Sequence, residues 1–223
     1  MKLPISRRLL ACCDYVHPGD RVADIGCDHG YLGIHLLQHG IASKVYAGDI
    51  RPGPLDAARQ NGQKFGMTDR MQFFLSDGAK AIPHDFDTLV CAGMGADVMV
   101  SILDNAPWLR SNAYRLILQC QSKTPILRKF LSENGWEIRQ EHVLRDGRFL
   151  YTIMEVIWNP YVPLTPGQCY LPPALLTGNG GEKGNYIHWV MEHLRLTVTN
   201  QKEHAPELAR LALIELDNQE ETV

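Results

Sequence analysis

Residues 24 to 33, Asp24-Ile25-Gly26-Cys27-Asp28-His29-Gly30-Tyr31-Leu32-Gly33, decide the fold. They follow the apolar stretch Arg21-Val22-Ala23 and precede a helical pattern, the place where a nucleotide-binding α/β fold keeps its glycine loop. Asp28 and His29 break the dinucleotide pattern there. A pyrophosphate needs glycines so that backbone N–H groups at a helix N-terminus can approach it, and Asp28 would set a negative charge against it. A carboxylate in this place suits a ligand that is locally cationic and free of phosphate.

Outward from this loop the chain alternates. Arg21 to Asp24 reads as a strand and Tyr31 to Gln38 as a helix. Lys44 to Ile50 and Pro54 to Phe65 repeat the unit, and Met71 to Leu75 makes a third strand. Phe86 to Ala92 is a near-continuous apolar run, as a strand covered on both faces requires, with Ala96 to Asp104 as its helix. Tyr114 to Gln119 and Pro125 to Asn134 follow. Trp136 to Leu144 and Phe149 to Trp158 are joined by Arg145-Asp146-Gly147-Arg148, which has hairpin turn chemistry. Ahead of it all, Ser6 can cap a short helix carrying Leu9, Leu10 and Cys13. The expected fold is an α/β doubly wound, Rossmann-like sheet of seven strands ending in an antiparallel hairpin.

The first domain is read as residues 1–158. From Asn159 to Asn185 five prolines and Gly178-Asn179-Gly180-Gly181 break the pattern, so a linker or wrapping segment opens a second part, residues 159–223. Within it Ile187, Val190, Met191, Leu194 and Val198, then Leu208, Leu211, Ala212 and Leu216 after Pro206, fall at helical spacing and predict a helical hairpin. From residue 185 onward there are three basic and seven acidic residues, which makes that hairpin a poor grip for phosphates unaided.

The whole chain, 223 residues at a formal charge of −3, lacks the global basic signature of a nucleic-acid binder, so any such role rests on a local patch. Six cysteines without a CxxC pair read as buried reduced thiols, and no stretch approaches a membrane span or a signal peptide. A cytoplasmic protein without metal or membrane partner is expected. The oligomeric state is left open, with a monomer favoured.

In a doubly wound sheet the ligand lies outside the carboxyl ends of the strands. Three successive ends here deliver carboxylates: Asp24 and Asp28, then Asp49, then Asp77, each beside a glycine or a small residue, and a fourth end carries Ala92-Gly93-Met94-Gly95. S-adenosylmethionine offers an ammonium and a sulfonium and carries no phosphate. Asp49, 25 residues beyond Asp24, sits near the offset at which an acid accepts ribose hydroxyls, and Asp77 can accept from an adenine amino group. Against this stand blander readings: Asp28-His29 as a loop cap, Asp28, His29 and Asp49 as a metal site without further clustered ligands, Asp77-Gly78 as a plain turn, and Gly93 and Gly95 as a tight strand-to-helix turn.

The motifs "SRRL" (6 to 9), "ADIGCDHGYL" (23 to 32), "GDI" (48 to 50), "DG" (77 to 78), "AGMG" (92 to 95) and "LILQ" (116 to 119) resemble the TrmK family of bacterial tRNA (adenine(22)-N(1))-methyltransferases, within the class I S-adenosylmethionine-dependent methyltransferases. The resemblance extends to a helical, coiled-coil-like C-terminal part. It departs from the family pattern at Ala96, where glycine is usual, and at Cys120-Gln121, where Pro-Asn is usual. It implies a cofactor site with Asp24, Gly26, Cys27, Asp28, Gly30 and Tyr31 about the methionine moiety, Asp49 and Ile50 at the ribose, and Asp77 and Gly78 at adenine. Ala92, Gly93, Met94 and Gly95 then border the reaction centre.

The N1 atom of adenine carries a lone pair and needs no strong base, so positioning is the main catalytic task, with the target base turned out of its stack. Gln119 is expected to read the base edge, and Asp97 or Asp28 to favour the cationic product. His29 either orients the loop or faces the base. Among Tyr31, Trp108 and Tyr151, Tyr151 is taken as a stacking candidate, and Arg8, with Arg7, Arg51, Arg145 and Arg148, as a phosphate contact. The absence of an Asn/Asp-Pro-Pro-aromatic segment after the fourth strand fits a ring nitrogen better than an exocyclic amine. Competing functions are a methyltransferase of small molecules or proteins, a non-catalytic binding module using the acidic hairpin, and, more distantly, an NAD-dependent oxidoreductase.

Overall fold

A computed structural model describes residues 3–160, 163–178, 180–201 and 206–220. Met1, Lys2, Asn179, Lys202, Glu203 and Glu221, which enter the readings above, lie outside the described residues. Seven strands form one sheet: β1 (Arg21–Ile25), β2 (Lys44–Asp49), β3 (Met71–Leu75), β4 (Thr88–Met94), β5 (Arg115–Cys120), β6 (Trp136–Asp146) and β7 (Phe149–Trp158), in the order β3-β2-β1-β4-β5-β7-β6. The first five are parallel to their neighbours, and β7 inserts antiparallel between β5 and β6. After β1 the chain winds outward through β2 and β3, then returns to place β4 on β1's other side. That reversal opens a crevice at the carboxyl ends of β1 and β4.

Period-two alternation along the central strands feeds two cores. Ala23 and Ile25, Leu89 and Cys91, and Leu116 and Leu118 point to one face, where α4 (Ala96–Asp104) and α5 (Thr124–Glu133) bring Met99, Leu103, Leu127 and Leu131. Val22, Val90 and Ile117 point to the other, packed with Cys12 of α1 (Arg7–Cys13), Leu36 of α2 (Tyr31–Gln38) and Ala58 of α3 (Pro52–Lys64). Each fully buried Leu or Ile contributes roughly 1.5–3 kcal/mol, which is why these strands read as unbroken apolar runs. Ser6 caps α1 by accepting from the Leu9 N–H at 3.4 Å, as its sequence position predicts. At the β6–β7 hairpin Asp146 pairs with Phe149, and Gly147 takes the positive φ of 62° that the two-residue turn demands.

The proline-rich segment wraps the core instead of linking freely. It forms α6 (Pro166–Tyr170), opened by a Thr165–Gln168 capping box, and α7 (Pro173–Thr177), before α8 (Lys183–Gln201) and α9 (Glu207–Glu220). What holds it is a buried charge pair. Arg128 of α5 and Glu141 of β6 have fully buried side chains and meet at 2.5 Å. Arg128 also donates to the carbonyls of Cys169 at 3.0 Å and Tyr170 at 2.8 Å, and to the Tyr186 hydroxyl at 3.2 Å. One guanidinium thus ties the sheet to α6 and α8, and the two parts of the chain share one anchored interface. Val143, Tyr186, Val190, Leu194 and Ala212 close the apolar cluster around it.

Candidate functional site

A cavity of about 760 Å³ opens at the switch point, lined from the ends of β1, β2, β3 and β4 and the first turns of α4. Gly26, Asp28, Asp49, Ile50, Asp77 and Gly78 all border it, as do Ala92, Gly93, Met94 and Asp97. The strand-end residues named from sequence therefore converge on one wall. Val98, Ser101 and Ile102 of α4 also line it, and nothing in their spacing distinguishes them from an ordinary core face. Ile50 and Val98 leave 62% and 51% of their surface exposed, so the cavity carries an apolar flank.

The glycine loop explains what the cavity does not accept. The N–H groups of Gly26 and Cys27 both donate to the Gly48 carbonyl at 2.8 and 2.9 Å, and that of Gly30 to Cys27 O at 2.7 Å. The Asp28 N–H donates to Asp49 Oδ2 at 3.2 Å. These four amides are committed to the protein and are not available to a pyrophosphate. Asp28 takes φ 48°, the left-handed conformation that Asp tolerates better than most residues, and this lets it stand where a dinucleotide loop has glycine. Its side chain is largely exposed, with His29 Nε2 3.8 Å from Oδ2. Gly26 takes φ 71°, a conformation L side chains rarely adopt, and a Cβ there would push aside the Met94 methyl, 2.1 Å away.

Asp49 is buried, with Oδ2 taken by Asp28 and Oδ1 accepting from the Arg51 N–H at 2.9 Å. It pins the loop after β1 to the loop after β2. Asp77 pairs with Lys80 at 2.5 Å, while Ser76 Oγ donates to Gly78 O and accepts from the Ala81 N–H. Asp24 does not reach the wall. It lies 4% exposed beneath the loop with Oδ2 unpartnered, and burial, helped by the charge of Asp49 and opposed by the Gly33 N–H, pushes its carboxyl up to about 7. Cys27 is likewise buried, with its thiol driven up chiefly by burial. Gly30 is the N-cap of α2 at φ 72°, and Tyr31 stacks on the His29 ring at 5.6 Å, both off the cavity wall.

The reaction edge corrects the expectation for Gln119. β4 and β5 slip register between Ala92 and Met94, leaving Gly93 as a bulge at φ 82°. The Gly93 N–H donates to Oε1 of Gln119 at 3.0 Å, and Gln119 Nε2 donates to the Cys120 carbonyl at 3.2 Å. Gln119 is fully buried, so it supports the bulge and has no edge left to read a base. Arg8 is corrected too: its Nη1 donates to Gln119 Oε1 at 3.4 Å and its guanidinium lines the cavity, inside the site and not on a phosphate rim. Gly95 caps α4 with Ser122 Oγ 2.8 Å from where a Cβ would sit. Asp97 is held by Lys123 at 2.7 Å. Tyr151 is not on this wall and lines a neighbouring cavity, while Trp108 stacks on His84. Among the described residues there is no cluster of three or more metal-ligating side chains, and no helix is long and apolar enough to cross a membrane.

Sheet order, switch-point cavity and strand-end carboxylates together define a class, the Rossmann-like methyltransferases. A family model for a methyltransferase domain matches residues 5–154. A provisionally assigned tRNA methyltransferase of Mycoplasma genitalium is 32% identical over 203 residues, covering 88% of this chain and 87% of its own. The tRNA (adenine(22)-N(1))-methyltransferase of Bacillus subtilis is 29% identical over 154 residues, 69% of this chain and 65% of that protein. A Streptococcus pneumoniae protein, solved in complex with S-adenosyl-L-methionine and provisionally described as a tRNA (m1A22) methyltransferase, superposes with a TM-score of 0.81 at 25% identity, covering 94% of this chain and 99% of its own. The chain belongs to the methyltransferase-domain family and shares its family with the Mycoplasma genitalium protein.

Proposed function

We propose that this protein transfers a methyl group from S-adenosylmethionine to N1 of an adenine in tRNA, at position 22. The observation that carries the reading is the cavity itself: the amides of Gly26, Cys27, Asp28 and Gly30 are internally satisfied, and Asp28 and Arg8 supply a carboxylate and a guanidinium to its lining. That pairing is matched to a zwitterionic amino-acid end and not to phosphates. Asp28 faces the ammonium and Arg8 the carboxylate of the methionine moiety. Asp49 and Arg51 meet the ribose, Asp77 the adenine amino group, and Ile50, Val98 and Ile102 the adenine faces.

The bound cofactor supplies a methyl carbon already activated by a sulfonium, and the chemistry needs no metal ion. The acceptor N1 lone pair forms the new N–C bond as the C–S bond breaks, with no proton to remove. The chain's task is positioning, since reacting atoms must be held at about 3–3.5 Å. The Gly93 bulge, without a Cβ and braced by Gln119, leaves the close approach open. Asp97 and Asp28 favour the positive charge that the product base acquires. Buried unbridged thiols and a tRNA substrate favour the cytosol.

Incubation with labelled S-adenosylmethionine and unmodified tRNA, followed by nucleoside analysis, tests the reading. N1-methyladenosine at position 22 is the expected product. N6-methyladenosine, or label entering metabolites or proteins while tRNA stays bare, would refute it.

A further inference from the structure

Beside the cofactor cavity lies another, of about 570 Å³, between the β5–α5 loop, the start of β7 and α8. Asp97 borders both, so the two are neighbours across the first turn of α4. The second wall is aromatic. Trp189 is 51% exposed, and its ring stacks on His193 with centroids 5.4 Å apart and planes 6° from parallel. Trp189 and Tyr151 also line the adjoining groove that holds Arg145 and Arg148. Arg148 lies 4.8 Å over the Phe149 ring, and Arg145 is oriented by Glu182 at 2.8 Å.

The acidic count of the C-terminal part does not describe this face. Glu182 is spent on Arg145, Asp217 meets Arg195, and Glu215 accepts from Thr165 and the Gly167 N–H. The groove also carries Glu192, 3.5 Å from His188, and with Arg145 paired to Glu182 it presents an exposed indole beside the Arg148 guanidinium and the oriented Arg145. An aromatic platform flanked by cations and adjacent to the methyl-transfer site is the chemistry of single-stranded nucleic-acid recognition, in which stacking is sequence-tolerant and the cations meet phosphates.

On the reading of this protein as a tRNA methyltransferase, we propose that the cleft is a second nucleobase subsite, in which an unpaired base neighbouring the acceptor adenine stacks on Trp189 while its flanking phosphates lie toward Arg145 and Arg148. The acceptor itself stays at the Gly93 bulge. Trp189 is therefore a positioning residue for the RNA and touches no reacting atom.

The test compares Trp189→Ala and Trp189→Phe with the wild type, using unmodified tRNA. W189A is expected to raise KM for tRNA roughly ten-fold or more, the scale of one lost base–aromatic stack. It should leave kcat within about two-fold, with cofactor affinity by calorimetry unchanged. W189F should restore most of the KM. Binding of tRNA should quench tryptophan emission in the wild type, and W189F should lose that quench, a readout independent of turnover. If W189A melts early, His193→Ala removes the other half of the stack and carries the same KM readout. An unchanged KM in a wild type that does methylate tRNA overturns the subsite and leaves the activity standing. Absence of methylation with the quench intact overturns the activity instead. A quench that grows with protein concentration and without RNA assigns the face to a second copy of the chain and also overturns the proposal.

Discussion

Replacing Asp24 with Asn should make the protein more stable at neutral pH than at acidic pH relative to the wild type, and the size follows from the site. The Asp24 carboxyl titrates near 3.8 in an unfolded chain and is pushed up to about 7 in the fold, mainly by burial, with Oδ2 unpartnered. A raised carboxylate keeps a proton that the unfolded chain has already released. The stabilisation this proton represents is complete below about pH 4 and is lost as pH rises through about 7. Each pH unit well inside that window is worth about 1.36 kcal/mol, tapering as the folded carboxyl itself titrates, so the wild type should lose about 2.3 kcal/mol relative to D24N between pH 5 and pH 7, and about 0.4 kcal/mol more above that. Urea unfolding of both proteins without cofactor, at half-unit steps from pH 5 to 8, measures it directly. His35, held below the ordinary imidazole value chiefly by burial, is common to both proteins and cancels in the difference. Parallel stability curves would refute the reasoning and mean that Asp24 is already ionised and solvated beneath the loop.

Three further outcomes follow from the contacts described. Gly26→Ala sets a Cβ against Met94 at a positive φ and should cost about 1–3 kcal/mol by thermal unfolding; adding Met94→Ala should recover the clash but not the backbone strain, and an unchanged melting point for G26A would contradict the geometry. Glu141→Gln leaves the Arg128 guanidinium buried without its charge partner and should destabilise by about 3–5 kcal/mol in urea, where a loss under about 1 kcal/mol would mean water reaches the pair. Gln119→Leu orphans the Gly93 N–H and frees Arg8, so kcat/KM for methyl transfer should drop about 5- to 150-fold, corresponding to the roughly 1–3 kcal/mol cost of a buried unpaired donor; unchanged kinetics would remove Gln119 from the support of the bulge.

Local pattern carried most of the sheet. α2, β3, α4 and β7 begin and end where periodicity and turn residues put them, because each is bounded by Gly, Pro or Asp chemistry acting within a few residues. β4 is the instructive departure: the apolar run suggests 86 to 92, and the strand is Thr88–Met94. Its extension depends on a bulge whose amide is satisfied by Gln119, 26 positions away, and no local signal encodes that partner. The carboxylates at strand ends were legible because topology alone sends them to one crevice. Their division of labour was not, since Asp24 and Asp49 look alike in sequence and differ only in what surrounds them. Arg8 and Gln119 exchanged roles with expectation for the same reason. The Trp189 cleft was invisible, because it exists only where α8 docks, and the docking rests on Arg128 and Glu141, two charged residues that a sequence reader assigns to the surface.

That buried pair also sets how the molecule meets its substrate. With Arg128 bolting sheet, α6 and α8 to one another, the span from the Gly93 bulge to the indole on α8 is fixed before any RNA arrives. With the indole as the second subsite proposed above, the protein would work as a gauge of set width and not as a jaw. An RNA whose adenine and neighbouring base fit that width docks unstrained, and any other must bend its own backbone to reach, so selection falls on the flexibility of the RNA loop more than on the identity of its bases.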